Sequence, residues 1–304
     1  MTILDPSASV RPTLSGIFFP ALALSCSADG VSAALATWRE GGRVSIECWH
    51  ESDTAARSDV LLSTVDSMLA ANRTPASAIR HVMVDIGPGP FTALRMTSAI
   101  AQGIAMAVGA SCTDISSTEA LAWQAVESEG AGRHTVLVAI DARMGEVYAA
   151  TVEVDIGPTG ELQRVAELRT CTVGAPEAIW DIAGPGEAGA HDAVLFLAGN
   201  AWRAYATLEA SVSIQARAAG WLVKSSRGAI SLRASAVAAV SLSRLSAGSS
   251  TEDTATESQS DLSSTRSAAL SVSGPAPRYV RNKVALDVTE QAAARVRAAG
   301  GGAS

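Results

Sequence analysis

The chain has 304 residues, a formal net charge of −7, 48 % hydrophobic residues and only 4 % aromatic ones. That length allows one large domain or two moderate ones, with a core built from Ala, Val, Leu and Ile rather than from rings. An acidic chain is a poor match for a phosphate backbone, which is bound through clustered Lys and Arg, so any RNA in its function is expected to be carried by another subunit.

Residues 1–19 hold turn formers before any periodic pattern and read as a disordered extension. Phe18 and Phe19 open an apolar stretch, but Asp5 precedes it and Asp29-Gly30 interrupt it too soon for a bilayer span, so a cytoplasmic protein with no membrane partner is expected. Runs at 21–25 and 31–37, separated by Ala28-Asp29-Gly30, read as a hairpin, with 44–49 as the third strand of an antiparallel meander. The spacing of Leu61, Leu62, Val65, Met68 and Leu69 predicts an amphipathic helix over 58–71, ended by Arg73-Thr74-Pro75. Residues 82–86 are mostly apolar, as suits a strand buried inside a sheet. Gly87-Pro88-Gly89-Pro90 is a dense turn signal, and Thr92 is the expected N-cap of an unusually apolar helix running to about Val108. Ala93, Thr97, Ala101 and Ala105 line one of its faces, where small side chains admit close packing, either of a partner helix or of this chain's own sheet.

The same βββαβα order starts again after a linker at 128–134. Strands are expected at 135–140, 146–153 and 165–171, then a short helix from Ala175 to Ala183 and a buried strand at 193–198 ending at Gly199-Asn200. Two related halves, 20–127 and 134–245, are the pattern of the actin-like ATPase (ASKHA, RNase H-like) α/β architecture. A short Gly-rich insertion spans Gly184 to Gly189. Residues 246–273 are half Ser or Thr without an aromatic; such a segment cannot bury enough apolar surface to offset its ordering entropy, and disorder is expected before a C-terminal segment at 274–304.

Cys26, Cys48, Cys112 and Cys171 have no CxxC spacing and lie in or beside apolar runs, which reads as reduced thiols in a cytosolic protein. His50, His81, His134 and His191 are scattered, so no HExxH-type zinc site is expected. The string Asp85-Ile86-Gly87-Pro88-Gly89-Pro90-Phe91-Thr92-Ala93-Leu94-Arg95 can cradle an anion on exposed N–H groups at a helix N-terminus, although it equally reads as a tight strand-to-helix turn. It is not a Walker A loop, since no Gly-Lys-Ser/Thr follows. Asp141, at a strand tip, reads as a turn Asp bonding nearby N–H groups before it reads as a ligand for water or metal. Arg143 and Glu146 read as a local ion pair, and Ser116 and Ser117 have no adjacent His/Asp set for a hydrolase.

As a whole string, the segment around Gly87 resembles the GPGSFTGLR signature of the TsaB (YeaZ) family, and further segments match in order. Ala21-Leu22-Ala23-Leu24-Ser25-Cys26-Ser27 resembles LAIDTS, and Ser116-Ser117-Thr118-Glu119-Ala120-Leu121-Ala122 resembles VSSLEALA. Ala139-Ile140-Asp141-Ala142-Arg143-Met144-Gly145-Glu146-Val147-Tyr148 resembles IDARRGEVY, and Pro277-Arg278-Tyr279-Val280-Arg281-Asn282-Lys283-Val284-Ala285 resembles PxYLRxKVA. The resemblance implies a non-catalytic partner of TsaD, which transfers the threonylcarbamoyl group to the adenosine next to the anticodon, with TsaE joining the assembly and TsaC making the donor. It further implies a heterodimer with TsaD, or a homodimer when alone, through the helices at 58–71 and 92–108. The interface residues so implied are Leu61, Val65, Met68, Leu69, Leu94, Thr97, Ala101 and Ile104, so an arginine at Ala101 is expected to abolish pairing without unfolding the chain. No tightly bound cofactor is implied; ATP or ADP is expected only at a shared interface, with Gly87, Gly89, Thr92 and Arg95 as the anion-binding candidates here.

The sequence departs from the family pattern at Ser25, where an Asp is usual, at Pro90 and Ala93 in the signature, and at Arg57-Ser58, where a His usually begins the helix. Each change argues against independent nucleotide chemistry and leaves a scaffold role intact. The rival readings are an actin-fold small-molecule kinase, disfavoured by Ser25, and a metal-dependent peptidase, disfavoured by the lack of paired ligands.

Overall fold

Residue 21 opens a strand buried along its whole length, and the first half of the molecule is built outward from it. The computed structural model describes residues 2–4, 18–26, 30–39, 43–52, 57–188, 193–225, 231–248, 276–278 and 280. In the first sheet, β2 (Ala21–Ser25) pairs antiparallel with β3 (Gly30–Arg39), which pairs antiparallel with β4 (Arg43–Ser52). On its other side β2 runs parallel to β5 (His81–Asp85), and β5 runs parallel to β6 (Ser111–Ile115). Helix α1 (Arg57–Ala71) joins β4 to β5, α2 (Phe91–Val108) joins β5 to β6, and α3 (Ser117–Val126) follows. The 1–19 extension contributes β1 (Thr2–Leu4), which pairs with the outer edge of β4 and covers backbone groups that an edge strand leaves open.

The second sheet repeats that order. Strands β7 (Gly132–Arg143), β8 (Glu146–Ile156) and β9 (Leu162–Gly174) form the meander, and β10 (Val194–Ala198) runs parallel to both β7 and β11 (Leu222–Ser225). Its helices are α4 (Ile179–Ala183), α5 (Ala201–Ala204), α6 (Leu208–Ala218) and α7 (Ala234–Gly248). The spatial order β11-β10-β7-β8-β9 reproduces β6-β5-β2-β3-β4, so the chain has the two-half actin-like fold. Each half is longer than a βββαβα count, because β6 with α3, and β11 with α7, complete it.

The last helices change places. α3 packs on β7, β8, β9 and β10 of the second sheet, while α7 packs on β2 to β6 of the first and reaches β9 of the second. The strands make room for them with small side chains: Ala21, Ala23, Ala34 and Ala36 face the central core, whereas Leu22, Leu24 and Leu35 face the layer under α1 and α2. Period-two alternation in β2 thus sorts alanine to one face and leucine to the other. Burying each such leucine contributes roughly 1.5–3 kcal/mol.

Helix α2 is long and apolar enough to cross a bilayer by length and composition, yet only 33 % of it is buried in the chain. Its inward face is Ala93, Leu94, Thr97, Ala101 and Ala105, and Thr97 Oγ1 turns back to the Ala93 carbonyl. The helix starts at Phe91 with Pro90 as N-cap, so Thr92 lies inside the first turn: Pro90, at φ −60 and ψ 120, already sets the extended backbone that precedes a helix. Cys26, Cys48 and Cys171 are buried, and none of the four cysteines is in a disulfide. Burial pushes Cys112 up to about 11, with the Asp114 carboxyl adding to it, and Cys171 to about 12, so neither supplies a thiolate near neutral pH. The Ala28-Asp29 turn, the side chains of Arg57 and Ser58, Gly189, residues 249–275, Tyr279 and 281–304 lie outside the described residues.

His81 opens β5, fully buried, with Nδ1 at 2.7 Å from Ser111 Oγ and Nε2 at 2.9 Å from Thr113 Oγ1. Burial lowers its pKa to about 4, so the folded chain resists a proton that the unfolded chain takes up near 6.5. Stability contributed by neutral His81 is complete above pH 6.5 and lost as pH falls toward 4. His81 is expected to make unfolding easier by about 2 kcal/mol between pH 7 and pH 5. Urea unfolding at both pH values checks this, since His81→Gln should remove that share of the pH dependence.

Candidate functional site

At the C-terminal end of β5, Asp85 is fully buried and its carboxyl accepts three hydrogen bonds. They come from Ser25 Oγ on β2 at 2.9 Å, the Gly87 N–H at 3.0 Å and Ser117 Oγ on α3 at 2.6 Å. The carboxyl that Ser25 meets thus belongs to the neighbouring strand. It is closed off from solvent and committed to holding two strands, the turn and a helix N-terminus together. Gly87 sits at φ +102, a conformation open to glycine, and a Cβ there would lie 2.6 Å from Leu94 Cδ1. Its carbonyl accepts from the Ser117 N–H and the Ser116 Oγ, so both backbone groups of Gly87 are bonded inward.

A second cluster joins the halves. The Arg278 guanidinium makes a two-pronged contact with Glu167 of β9, at 2.9 and 3.1 Å, and also donates to Ser116 Oγ at 3.2 Å. Thr118 Oγ1 donates to the same Glu167 carboxyl at 2.8 Å, and the Arg278 N–H donates to the Ile86 carbonyl at 2.7 Å. Burial pushes the Glu167 carboxyl up, but the bonds from Arg278 and Thr118 outweigh it and hold the group below the usual carboxylate range. The C-terminal segment is thus pinned between the first half, at Ile86 and Ser116, and the second, at Glu167.

Between these clusters lies a cleft of about 250 Å³. Gly89, Pro90 and Thr92 form one wall, Asp141, Arg143 and Tyr148 of the β7–β8 hairpin the other, and Arg278 closes the end. The α2 N-terminus faces it with the positive end of the helix dipole. Asp141 accepts from the Arg143 N–H at 2.9 Å and from Tyr205 OH at 3.2 Å, and its other oxygen lies 3.2 Å from Arg143 Nη1. It is the turn Asp expected, and Arg143 pairs with it directly. The volume falls below the roughly 300–1,000 Å³ of pockets that enclose drug-sized ligands. Among the described residues no three His, Cys, Asp or Glu converge as a metal site.

Of the anion-binding candidates, Gly89 and Thr92 line this cleft, Gly87 is buried behind it, and exposed Arg95 stacks its guanidinium 3.7 Å from the Phe91 ring centre. Burial separates the interface candidates. Leu61, Val65, Leu69, Leu94, Thr97 and Ala101 are between 0 and 5 % exposed and pack on the chain's own sheet, leaving only Met68 and Ile104 half-buried. The small-residue stripe through Ala101 serves internal packing, and an arginine there would be driven into the core.

The outward face of α2 was missed from sequence. Thr92, Met96, Ala99, Gly103 and Met106 follow one another at alternating steps of four and three residues, the seam of a helix that packs against another helix. Thr92, Ala99, Gly103 and Met106 are exposed, Met106 by 85 %, and a Cβ on Gly103 would meet nothing within 4 Å. A mid-helix glycine costs about 1 kcal/mol relative to alanine, and the chain's own packing gives no reason for it. That unexplained glycine was the available signal.

A family model described as TsaD: tRNA N6-adenosine threonylcarbamoyltransferase matches residues 53–285. The Escherichia coli (strain K12) tRNA threonylcarbamoyladenosine biosynthesis protein TsaB is 33 % identical over 134 residues, which is 44 % of this chain and 55 % of that protein. The Haemophilus influenzae protein of the same name is 34 % identical over 133 residues, 43 % of this chain and 52 % of its own length. The chain thus spans about half the length of these curated relatives. A Pseudomonas aeruginosa crystal structure, described as an uncharacterized protein with similarity to peptidase YeaZ, superposes with a TM-score of 0.58 at 25 % identity, covering 86 % of this chain and 99 % of that one. YeaZ from Pseudomonas aeruginosa gives 0.54 at 25 % identity, covering 75 % and 93 %.

Replacing Asp85 by Ala strands two buried hydroxyls and a backbone N–H, and is expected to cost about 3 kcal/mol of folding stability. Chemical denaturation measures it; a loss below about 1 kcal/mol would mean that this carboxyl does not organise the turn.

Proposed function

The chain belongs to the family that the TsaD model describes, among its TsaB (YeaZ) members, and from that premise we propose that it is a non-catalytic partner subunit of TsaD. The reaction served is formation of N6-threonylcarbamoyladenosine at the adenosine next to the anticodon of tRNAs reading codons that begin with A. The observation that carries this reading is the outward face of α2: a helix as apolar as a bilayer span, two-thirds unburied, with a small-residue seam and two pliable methionines. A partner helix laid along that seam would cover what this chain leaves exposed. The same seam serves self-pairing when TsaD is absent.

The non-catalytic part of the reading is supported by the commitment of Asp85, Asp141 and Arg278 to internal bonds. Nucleotide, in this reading, is held at a surface shared with TsaD, where the α2 N-terminus and Thr92 lie beside the cleft. TsaE joins the assembly, the acidic chain meets tRNA only indirectly, and the complex works in the cytoplasm.

Gly103→Arg places a charged side chain on the seam, where this chain itself has open space. Size-exclusion chromatography with TsaD should show loss of the complex while the variant's melting temperature stays within about 2 °C, as for a surface change. Gly103→Ala should raise the melting temperature of the isolated chain, because alanine is the better helix former. An unaltered complex with Gly103→Arg would remove the seam from the interface.

A further inference from the structure

A second crevice, of about 510 Å³, shares no lining residue with the cleft between the halves. It opens between β4, α1 and the start of α7, with Met68 and Ala71 on one wall and Glu47, His50, Arg233 and Ser235 around them. Ser235 lies in the first turn of α7, is 3 % exposed, and its Oγ has no hydrogen-bond partner among the described residues. The buried Nε of Arg233, the residue before that helix, likewise has none among them. Local structure does not supply one. The carbonyl four residues before Ser235, that of Ser231, already accepts from Gln124, and the Arg233 Nη2 is taken by Glu127.

About nine in ten buried polar groups find a partner, and leaving one unmade costs about 1–3 kcal/mol. Two unmade donors at one helix N-terminus, where the dipole already favours negative charge, point to an acceptor that completes them. The facing charges limit what that acceptor can be. Glu127 offsets Arg233, and Glu47 is engaged by Asn72 at 2.9 Å and by Arg39 at 3.7 Å. Burial, with the Arg233 charge adding to it, holds His50 below its ordinary pKa and so neutral at physiological pH. A site so nearly balanced suits one small oxyanion group and opposes a polyphosphate.

We propose that this crevice binds a metabolite-sized molecule through a carboxylate or phosphate group, which accepts from Arg233 Nε and Ser235 Oγ once those two side chains turn out of their buried positions toward it, while its apolar part lies along Met68 and Ala71. The volume is in the range of ligand pockets. The site shares no residue with the α2 seam, so its failure would leave the partner reading untouched.

Thermal unfolding of the full chain and of Ser235→Ala, titrated with inorganic phosphate and separately with acetate at constant ionic strength, tests the proposal. At least one ion should raise the melting temperature of the unsubstituted chain, and Ser235→Ala should shift the half-saturating concentration upward at least about tenfold. Phosphate alone, acetate alone or both acting identifies the group preferred. Without ion, Ser235→Ala should melt at or above the unsubstituted chain, because it deletes an unmade donor and not a bond. No rise with either ion, an equal rise in both chains (the mark of general salt stabilisation), or a lower melting temperature of ion-free Ser235→Ala overturns the proposal.

Discussion

Asp85 sets the geometry on which the rest of the first half depends. Its carboxyl is fully buried and gathers Ser25, the Gly87 N–H and Ser117, three groups from β2, the turn and α3. A buried carboxyl is tolerated only when its bonds are made, and making them fixes where α2 leaves the sheet and where α3 begins. The direction of α2 then decides which of its faces meets Leu22 and Leu24 and which meets solvent. One acidic residue in the core thereby positions the outward seam that the proposed function uses.

The exchange of α3 and α7 between the sheets ties the halves into one core. Two helices can lie between two sheets only if the facing side chains are small, and the alanines of β2, β3 and α7 meet that requirement. The scarcity of aromatic residues belongs to the same solution. The Arg278–Glu167 contact closes the arrangement from outside, drawing residues 111 positions apart across the boundary between the halves.

Strands such as β2 and β5 were legible because burial on both faces leaves an unbroken apolar run. The two meanders and the turn role of Asp141 could also be read directly. Strand β6 could not, since Ser111-Cys112-Thr113-Asp114-Ile115 is short, mostly polar and only half-buried for most of its length. Nor could the two faces of α2 be told apart: it is apolar apart from Arg95, Gln102 and small hydroxyl residues, and it carries one small-residue stripe through Ala101 and another through Gly103, so spacing alone does not say which is internal. The partner of Ser25 was equally hidden, because its bond to Asp85 joins residues 60 positions apart. Pairings of that kind belong to topology, and local sequence does not encode them.

The measurement that bears most directly on the account is reconstitution of threonylcarbamoyladenosine formation on tRNA. The cognate TsaC, TsaD and TsaE would be combined with and without this chain, and the modified nucleoside quantified. Modification is expected to depend on the chain, with Gly103→Arg behaving as if the chain were omitted. Equal modification in its absence would contradict the partner-subunit role and leave the exposed seam of α2 to another purpose.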